Sequence, residues 1–144
     1  MDTCEPLHMI VPATLRDARA ATEQIVSLCG RFDTEDRARY GTAVMEWLVN
    51  VVKHSYGHAL GARITIDAVA GPEAIELRIE DTGAGMAPGK FEAAPSELVF
   101  EHSDTAALPE GGMGLAIIKS VMDRVEYHRE NGVNRLTATR RWAR

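Results

Sequence analysis

Residues 41–57 read GTAVMEWLVNVVKHSYG, and residues 64–81 read ITIDAVAGPEAIELRIED. In the first stretch Glu46, Asn50 and His54 recur at every fourth position. That spacing stacks side chains one turn apart on one face of an α-helix. Val44, Leu48, Val51 and Val52 supply apolar surface around them. In the second stretch the period changes to two. Ile64, Ile66 and Ala68 alternate with Thr65 and Asp67; beyond Gly71-Pro72, Ile75, Leu77 and Ile79 alternate with Glu76, Arg78 and Glu80. This is the pattern of two half-buried strands in a hairpin. A helix of mixed character followed by a hairpin points to an α+β fold.

Working outward, HMIVP (8–12) reads as a short edge strand. Thr14 with Asp17 forms a capping box, and Leu15, Ala18, Thr22, Ile25 and Cys29 trace a helical face that Gly30 ends. Asp33 or Thr34 caps a second helix running to about Tyr56, and Gly57 and Gly61 bracket the loop after it. Residues 81–111 carry Gly83, Gly85, Pro88, Gly89, Pro95, Pro109 and Gly111 with little regular pattern. A loop of that length inside a compact domain marks a lid or mobile segment. GLAIIKSVMD (114–123) forms a third helix, and residues 124–142 a last hairpin about Asn131-Gly132. The expected architecture is a two-layer α/β sandwich: a mostly antiparallel sheet covered on one face by helices. Residues 1–144 are read as a single domain without internal repeat or linker.

With 45% hydrophobic and 26% charged residues, the chain can bury a core and is not intrinsically disordered. A net charge of −5 disfavours direct binding to nucleic acid. Arg135, Arg140, Arg141 and Arg144 form the one basic cluster, read as a solvated terminal strand. Cys4 and Cys29 have no metal-ligand spacing and are read as reduced thiols in a cytoplasmic protein. The opening MDTCEPLHMI lacks the basic-then-apolar order of a signal peptide. No run approaches the roughly 18 apolar residues of a membrane span.

The glycine segments are ambiguous taken singly. Neither Asp81-Thr-Gly83-Ala-Gly85 nor Gly111-Gly112-Met113-Gly114 fits GxxxxGK[ST] or completes GxGxxG. Gly112-Met113-Gly114 opens a helix, which is either a plain turn or a place where free backbone N–H groups attract phosphate. The glycines after Asp81 either make a tight Asx turn or let the backbone approach a flat ligand, with the aspartate accepting from an exocyclic amine. The helical stripe either faces water or lines a site. In a site, an asparagine oxygen suits Mg2+, and a glutamate one turn away can take a proton from an attacking hydroxyl. His54 bonds a phosphate, caps the helix end or holds its neighbours, and Lys53 can reach a phosphate or remain solvated. Specificity lies in the order: E-x3-N-x3-H on a helix, a hairpin ending in D-x-G-x-G, a long irregular lid, then G-x-G opening a helix.

That order, over residues 8–142, resembles the ATP-binding domain of the GHKL superfamily, shared by gyrase, a heat-shock chaperone, sensor histidine kinases and the MutL mismatch-repair ATPases. EWLVNVVKHSY (46–56) and GGMGLAIIKSVMDRVEY (111–127) are most similar to the asparagine box and second glycine box of the stand-alone anti-sigma-factor serine kinases of bacterial partner-switching systems. The resemblance implies a Bergerat-type ATP site. Asn50 would hold Mg2+ against the triphosphate, with Glu46 as general base and Lys53 and His54 close to the nucleotide. Asp81 would recognise the adenine amino group in a pocket shaped by Gly83, Gly85 and Met86. Gly111, Gly112, Met113, Gly114 and Leu115 would wrap the phosphates, under a lid spanning 86–111. The family's adenine-binding threonine on the last strand has its nearest counterparts here in Asn134 and Arg135, with Thr137 slightly further on. The implied activity is serine/threonine phosphotransfer from ATP to a small anti-anti-sigma protein of STAS type, with sequestration of a sigma factor and a kinase homodimer.

Three other readings compete. A non-catalytic, ATP-gated partner-binding module would need no base, and Glu46 argues against it. A sensor histidine-kinase core would follow a dimerisation helix with a phosphoacceptor histidine, which a chain starting at Met1 is expected to lack. An ATPase motor would need transducer domains that 144 residues do not hold.

Overall fold

The alternation in residues 64–81 folds as the hairpin it suggests. Strands β2 (Arg63–Ala70) and β3 (Ala74–Asp81) pair antiparallel, with Ile66 opposite Ile79 and Ala68 opposite Leu77. The computed structural model describes residues 4–96 and 112–143 of the chain. Strand β1 (Glu5–Pro12) joins the edge of β2 and is longer than HMIVP alone. Strands β4 (Arg124–Glu130) and β5 (Val133–Arg141) meet at Asn131-Gly132, whose φ values of 53° and 77° are both left-handed. That pair of torsions makes a turn whose twist matches the flanking strands. Among the described residues the sheet has five strands, all antiparallel, in the order β1-β2-β3-β5-β4.

Helix α1 (Leu15–Val26) starts where Thr14 Oγ1 accepts the Asp17 N–H at 3.0 Å. The Asp17 carboxylate takes the Thr14 hydroxyl at 2.6 Å, while the Thr14 N–H goes to the Pro12 carbonyl, so the reciprocal half of the box is not made. Gly30 does not end this helix. The N–H groups of Leu28 and Cys29 bond carbonyls three residues back, and this tightened turn has already closed it. Helix α2 (Thr34–Asn50) is capped by Asp33, which accepts the Asp36 N–H at 2.7 Å, and Glu35 and Asp36 lie favourably in its first turn. The expected continuous helix to Tyr56 is interrupted. After Asn50 it widens into a π-turn, Val51–Ser55, in which the Tyr56 N–H reaches back five residues to the Val51 carbonyl at 2.9 Å. The irregular region after β3 contains a short helix α3 (Lys90–Ala93), and helix α4 spans Gly112–Val121.

The helices cover one face of the sheet. Ile25, Val44, Leu48, Leu115 and Ile118 share one core with Ile64, Ile66, Ile75, Ile79 and Leu136. The other face is polar. His8 and Asp67 lie 2.6 Å apart, Arg78 reaches Asp67 at 3.5 Å, and Arg135 reaches Glu80 at 3.1 Å. The His8 hydrogen bond, helped by the Arg78 guanidinium, holds the Asp67 carboxyl below its usual range. Arg140 departs from the solvated-strand reading of the basic cluster. It is buried against the Phe32 ring, with Asp36 at 3.5 Å and Asp123 at 3.8 Å. No helix among the described residues is long and apolar enough to cross a membrane.

Both cysteines are free, Cys4 exposed and Cys29 buried. Burial pushes the Cys29 thiol up to about 12. Only the thiolate attacks disulfide reagents. An aromatic disulfide reagent at pH 8 is therefore expected to modify Cys4 in the native protein and both thiols after urea unfolding, with mass spectrometry locating the adducts.

Candidate functional site

A cleft opens where the end of α2, the end of β3 and the start of α4 meet. From α2 and the π-turn come Trp47, Asn50, Val51, His54 and Ser55; from β3 and the loop after it come Asp81, Gly85 and Met86. Lys90, Leu115 and Tyr127 complete the lining. The π-turn matters here. A helix one residue wider over a single turn brings Asn50, His54 and Ser55 to the same wall, which uniform α-helical spacing does not do for adjacent residues.

At the β3 side sits a buried carboxylate. Asp81 is 4% exposed, and its Oδ1 accepts from the Ser55 hydroxyl at 2.5 Å, Asn134 Nδ2 at 2.7 Å and the Gly83 N–H at 3.0 Å. Among the described residues Oδ2 has no donor, although Asp81 lines the cleft. The loop after Asp81 is pinned to the π-turn by the Ala84 N–H on the Ser55 carbonyl at 2.7 Å and the Gly85 N–H on Ser55 Oγ at 3.1 Å. Two glycines permit this. A Cβ on Gly83 would collide with Ser55. One on Gly85, where φ is 73°, would overlap Asn134 Oδ1 and stand 2.8 Å from Tyr127 Oη.

At the α4 side, Gly114 packs against the polar stripe of α2. A Cβ there would stand 2.8 Å from Glu46 Oε2 and 3.7 Å from Asn50 Nδ2. The start of a ten-residue helix, where the first N–H groups have no partner within the helix itself, thus abuts a carboxylate and a carboxamide. Behind the cleft, Trp47, Phe91 and Tyr127 form an aromatic cluster with ring centroids 5.5–6.5 Å apart. Lys119 of α4 lies over the Phe91 ring and donates to the carbonyls of Phe91 and Ala94, tying α3 to α4.

The model of the histidine kinase-like ATPase domain matches residues 11–140. The chain belongs to this family. A serine-protein kinase RsbW of Listeria monocytogenes is 30% identical over 94 residues, 64% of this chain and 58% of that protein. The chain thus spans less than two thirds of that relative. A Bacillus mycoides serine-protein kinase RsbW is 24% identical over 137 residues, 92% of this chain and 83% of the relative. Two solved structures share the fold at 21% identity, each covering 95% of this chain. They are the RsbU and RsbW domains of a Mycobacterium tuberculosis protein (TM-score 0.57, 32% of that chain) and the mycobacterial sensor histidine kinase MprB (TM-score 0.53, 97% of that chain).

Within this histidine kinase-like ATPase domain, Asn50, His54, Asp81, Gly85, Met86 and Leu115 line one cleft, with Glu46 beside Gly114 and Gly83 in the turn. Lys53 is exposed and off the wall. Gly112 and Met113 begin α4, and Gly111 and residues 97–111 of the expected lid lie outside the described residues. Thr137 is the clear correction. It pairs with Arg78 and Glu126 on the polar face of the sheet, away from the cleft, whereas Asn134, an odd number of positions earlier, faces inward. Sequence reasoning passed over Ser55, Lys90, Tyr127 and Arg129. Strand alternation with the half-buried Val125 could have flagged Tyr127. Ser55 had no such signal, because only the π-turn brings it in.

Gly85→Ala combines a left-handed backbone with steric overlap and is expected to cost about 2–4 kcal/mol of stability. Gly89→Ala, at φ 81° in open space, is expected to cost about 1 kcal/mol. Urea unfolding of both variants checks this, and equal losses would remove the packing role assigned to Gly85.

Proposed function

We propose that the chain is an ATP- and Mg2+-dependent serine/threonine protein kinase. Its substrate would be a small anti-anti-sigma protein of STAS type, and the same domain, residues 1–144, would sequester a sigma factor or a comparable regulatory target. The observation that carries this reading is the convergence of Glu46 and Asn50 on Gly114, beside a cleft that also holds the open oxygen of Asp81. The names of the RsbW relatives and the ATPase family support it.

The residues fit the nucleotide and its ion. Asp81 Oδ2 is an acceptor for the amino group of adenine, and Met86, Val51, Leu115 and Tyr127 offer apolar surface to a base. Among the described residues no three His, Cys, Asp or Glu side chains gather into a metal cage. Magnesium suits such a site, since it keeps waters and phosphate oxygens and takes few protein ligands; Asn50 is the side chain to hold it. Bound Mg-ATP would supply the phosphoryl group and charge neutralisation. The chain's own groups do the rest. Glu46 takes the proton of the incoming serine hydroxyl. The N–H groups at the start of α4 bind phosphate oxygens, and the Lys90 ammonium adds positive charge at the cleft wall. A non-catalytic binder has no use for the Glu46 carboxylate at this place. The working form is proposed to be a cytoplasmic homodimer that contacts neither nucleic acid nor membrane.

The test uses γ-labelled ATP, Mg2+ and a candidate anti-anti-sigma protein. Label is expected on a serine of that protein. Glu46→Gln is expected to retain ATP binding and lose about 10²–10⁴-fold in transfer rate, while Asp81→Asn weakens ATP binding about tenfold. Undiminished transfer by Glu46→Gln would refute the base, and unchanged ATP affinity in Asp81→Asn would refute the adenine contact.

A further inference from the structure

We infer that Lys119, which does not line the cleft, is a positioning residue: by fastening the one-turn helix α3 to α4 it sets how tightly the cleft holds its ligand. The inference rests on the reading of the cleft as a nucleotide site and adds to that site a residue from outside its lining.

Leu115 and Lys119 lie four residues apart on α4 and so share one face of it. Leu115 lines the cleft, and one turn further on the Lys119 ammonium meets the end of α3. It donates to the carbonyls of Phe91 and, at 2.8 Å, of Ala94, with the Glu92 carbonyl at 3.5 Å. It also stands 4.7 Å from the centre of the Phe91 ring. Among the described residues no other side chain donates to the backbone of residues 87–94. A helix of four residues completes barely one turn, and such a turn is not stable on its own. Its last carbonyls have no partner within the helix. A lysine ammonium carries three N–H groups and no acceptor, so it caps several of those carbonyls at once.

What α3 supports is one wall of the cleft. Phe91 is 7% exposed, with its ring centre 6.5 Å from that of Trp47 and 5.8 Å from that of Tyr127. Trp47 and Tyr127 line the cleft, as do Met86, in the stretch that leads into α3, and Lys90, its first residue. The Tyr127 hydroxyl also receives the Met86 N–H at 3.1 Å. The chain of contacts is therefore continuous. Lys119 holds Phe91, Phe91 backs the two rings, and the rings with Met86 form the apolar side against which a base would lie. Without the ammonium, α3 loses its cap, and the segment from Met86 to Ala94 must be ordered again each time a ligand binds. That ordering entropy weakens binding. Where the competent arrangement falls to about a tenth of the population, the apparent dissociation constant rises about tenfold.

Calorimetric titration of the full chain with ATP and Mg2+ tests this, at a temperature where circular dichroism shows every variant folded. Lys119→Met keeps the apolar stem over Phe91 and removes the donors. It is expected to raise the dissociation constant about tenfold. Lys119→Arg, which still donates, is expected to stay within about threefold of the wild type. Arg31→Met is the control. Beyond the far end of β3 from Asp81, Arg31 donates to the carbonyls of Gly71 and Pro72 at 3.2 and 2.6 Å and lies over the Trp142 ring, the same chemistry away from the cleft. Arg31→Met is expected to lower the urea midpoint and leave ATP affinity unchanged. An equal loss of affinity in Arg31→Met and Lys119→Met is a general loosening of the fold and overturns the inference. So does an unchanged affinity in Lys119→Met, or a Lys119→Arg protein that binds no better than Lys119→Met. In all three cases ATP binding by the wild type leaves the nucleotide site standing. A wild-type protein that binds no ATP overturns the nucleotide reading and the inference with it. Should Lys119→Met fail to fold, Lys119→Gln, a shorter neutral side chain, is read by the same constant: a rise of about tenfold supports the inference and no change overturns it.

Discussion

A carboxylate taken out of water is stable only where donors replace its hydration, and Asp81 receives its donors from separated parts of the chain. Ser55 comes from the end of the helical layer, Asn134 from the last strand and the Gly83 N–H from the loop that follows. One buried oxygen therefore ties the helices to the sheet at the place where the cleft opens. Hydrogen bonds to charged groups contribute about 1.5–3 kcal/mol each, enough to hold a widened helical turn in place. The π-turn is the local distortion that lets Ser55 reach.

The same logic explains the small residues. Gly83 is small because Ser55 occupies its side-chain space, Gly85 because Asn134, Tyr127 and Arg129 occupy its own, and Gly114 because Glu46 lies against it. At Gly85 and Gly114 polar side chains take the volume of a Cβ, and at Gly83 the Ser55 backbone carbonyl and hydroxyl together do so. The backbone is thereby brought close to the cleft wall, and the N–H groups of Gly83, Ala84 and Gly85 are taken up by Asp81 and Ser55.

Much of this was legible in the sequence. Period-two alternation placed Ile64 through Ile79 on the buried face, Asn131-Gly132 located the last hairpin, and Asp33 located the start of α2. The spacing of Asn50 and His54, with Asp81 and Gly85 further on, marked residues that share one wall. Three things were not legible, for physical reasons. Regular 3.6-residue periodicity carries no warning of a π-turn, so Ser55 stayed hidden. Thr137 was placed by likeness to a family position, and strand parity sends it to the opposite face from Asn134. Arg140 looked like one more surface charge in a basic tail, yet Asp36, Asp123 and Phe32 make it part of the interior. Long-range partners of this kind are invisible to any local pattern.

The cleft ties the fold to the proposed chemistry, and its occupancy is the direct test. A crystal structure of the protein with magnesium and a non-hydrolysable ATP analogue should show the adenine amino group on Asp81 Oδ2, the phosphates at the start of α4 and the ion on Asn50. Density for the analogue elsewhere on the molecule, or in the cleft with the base turned away from Asp81, would contradict it.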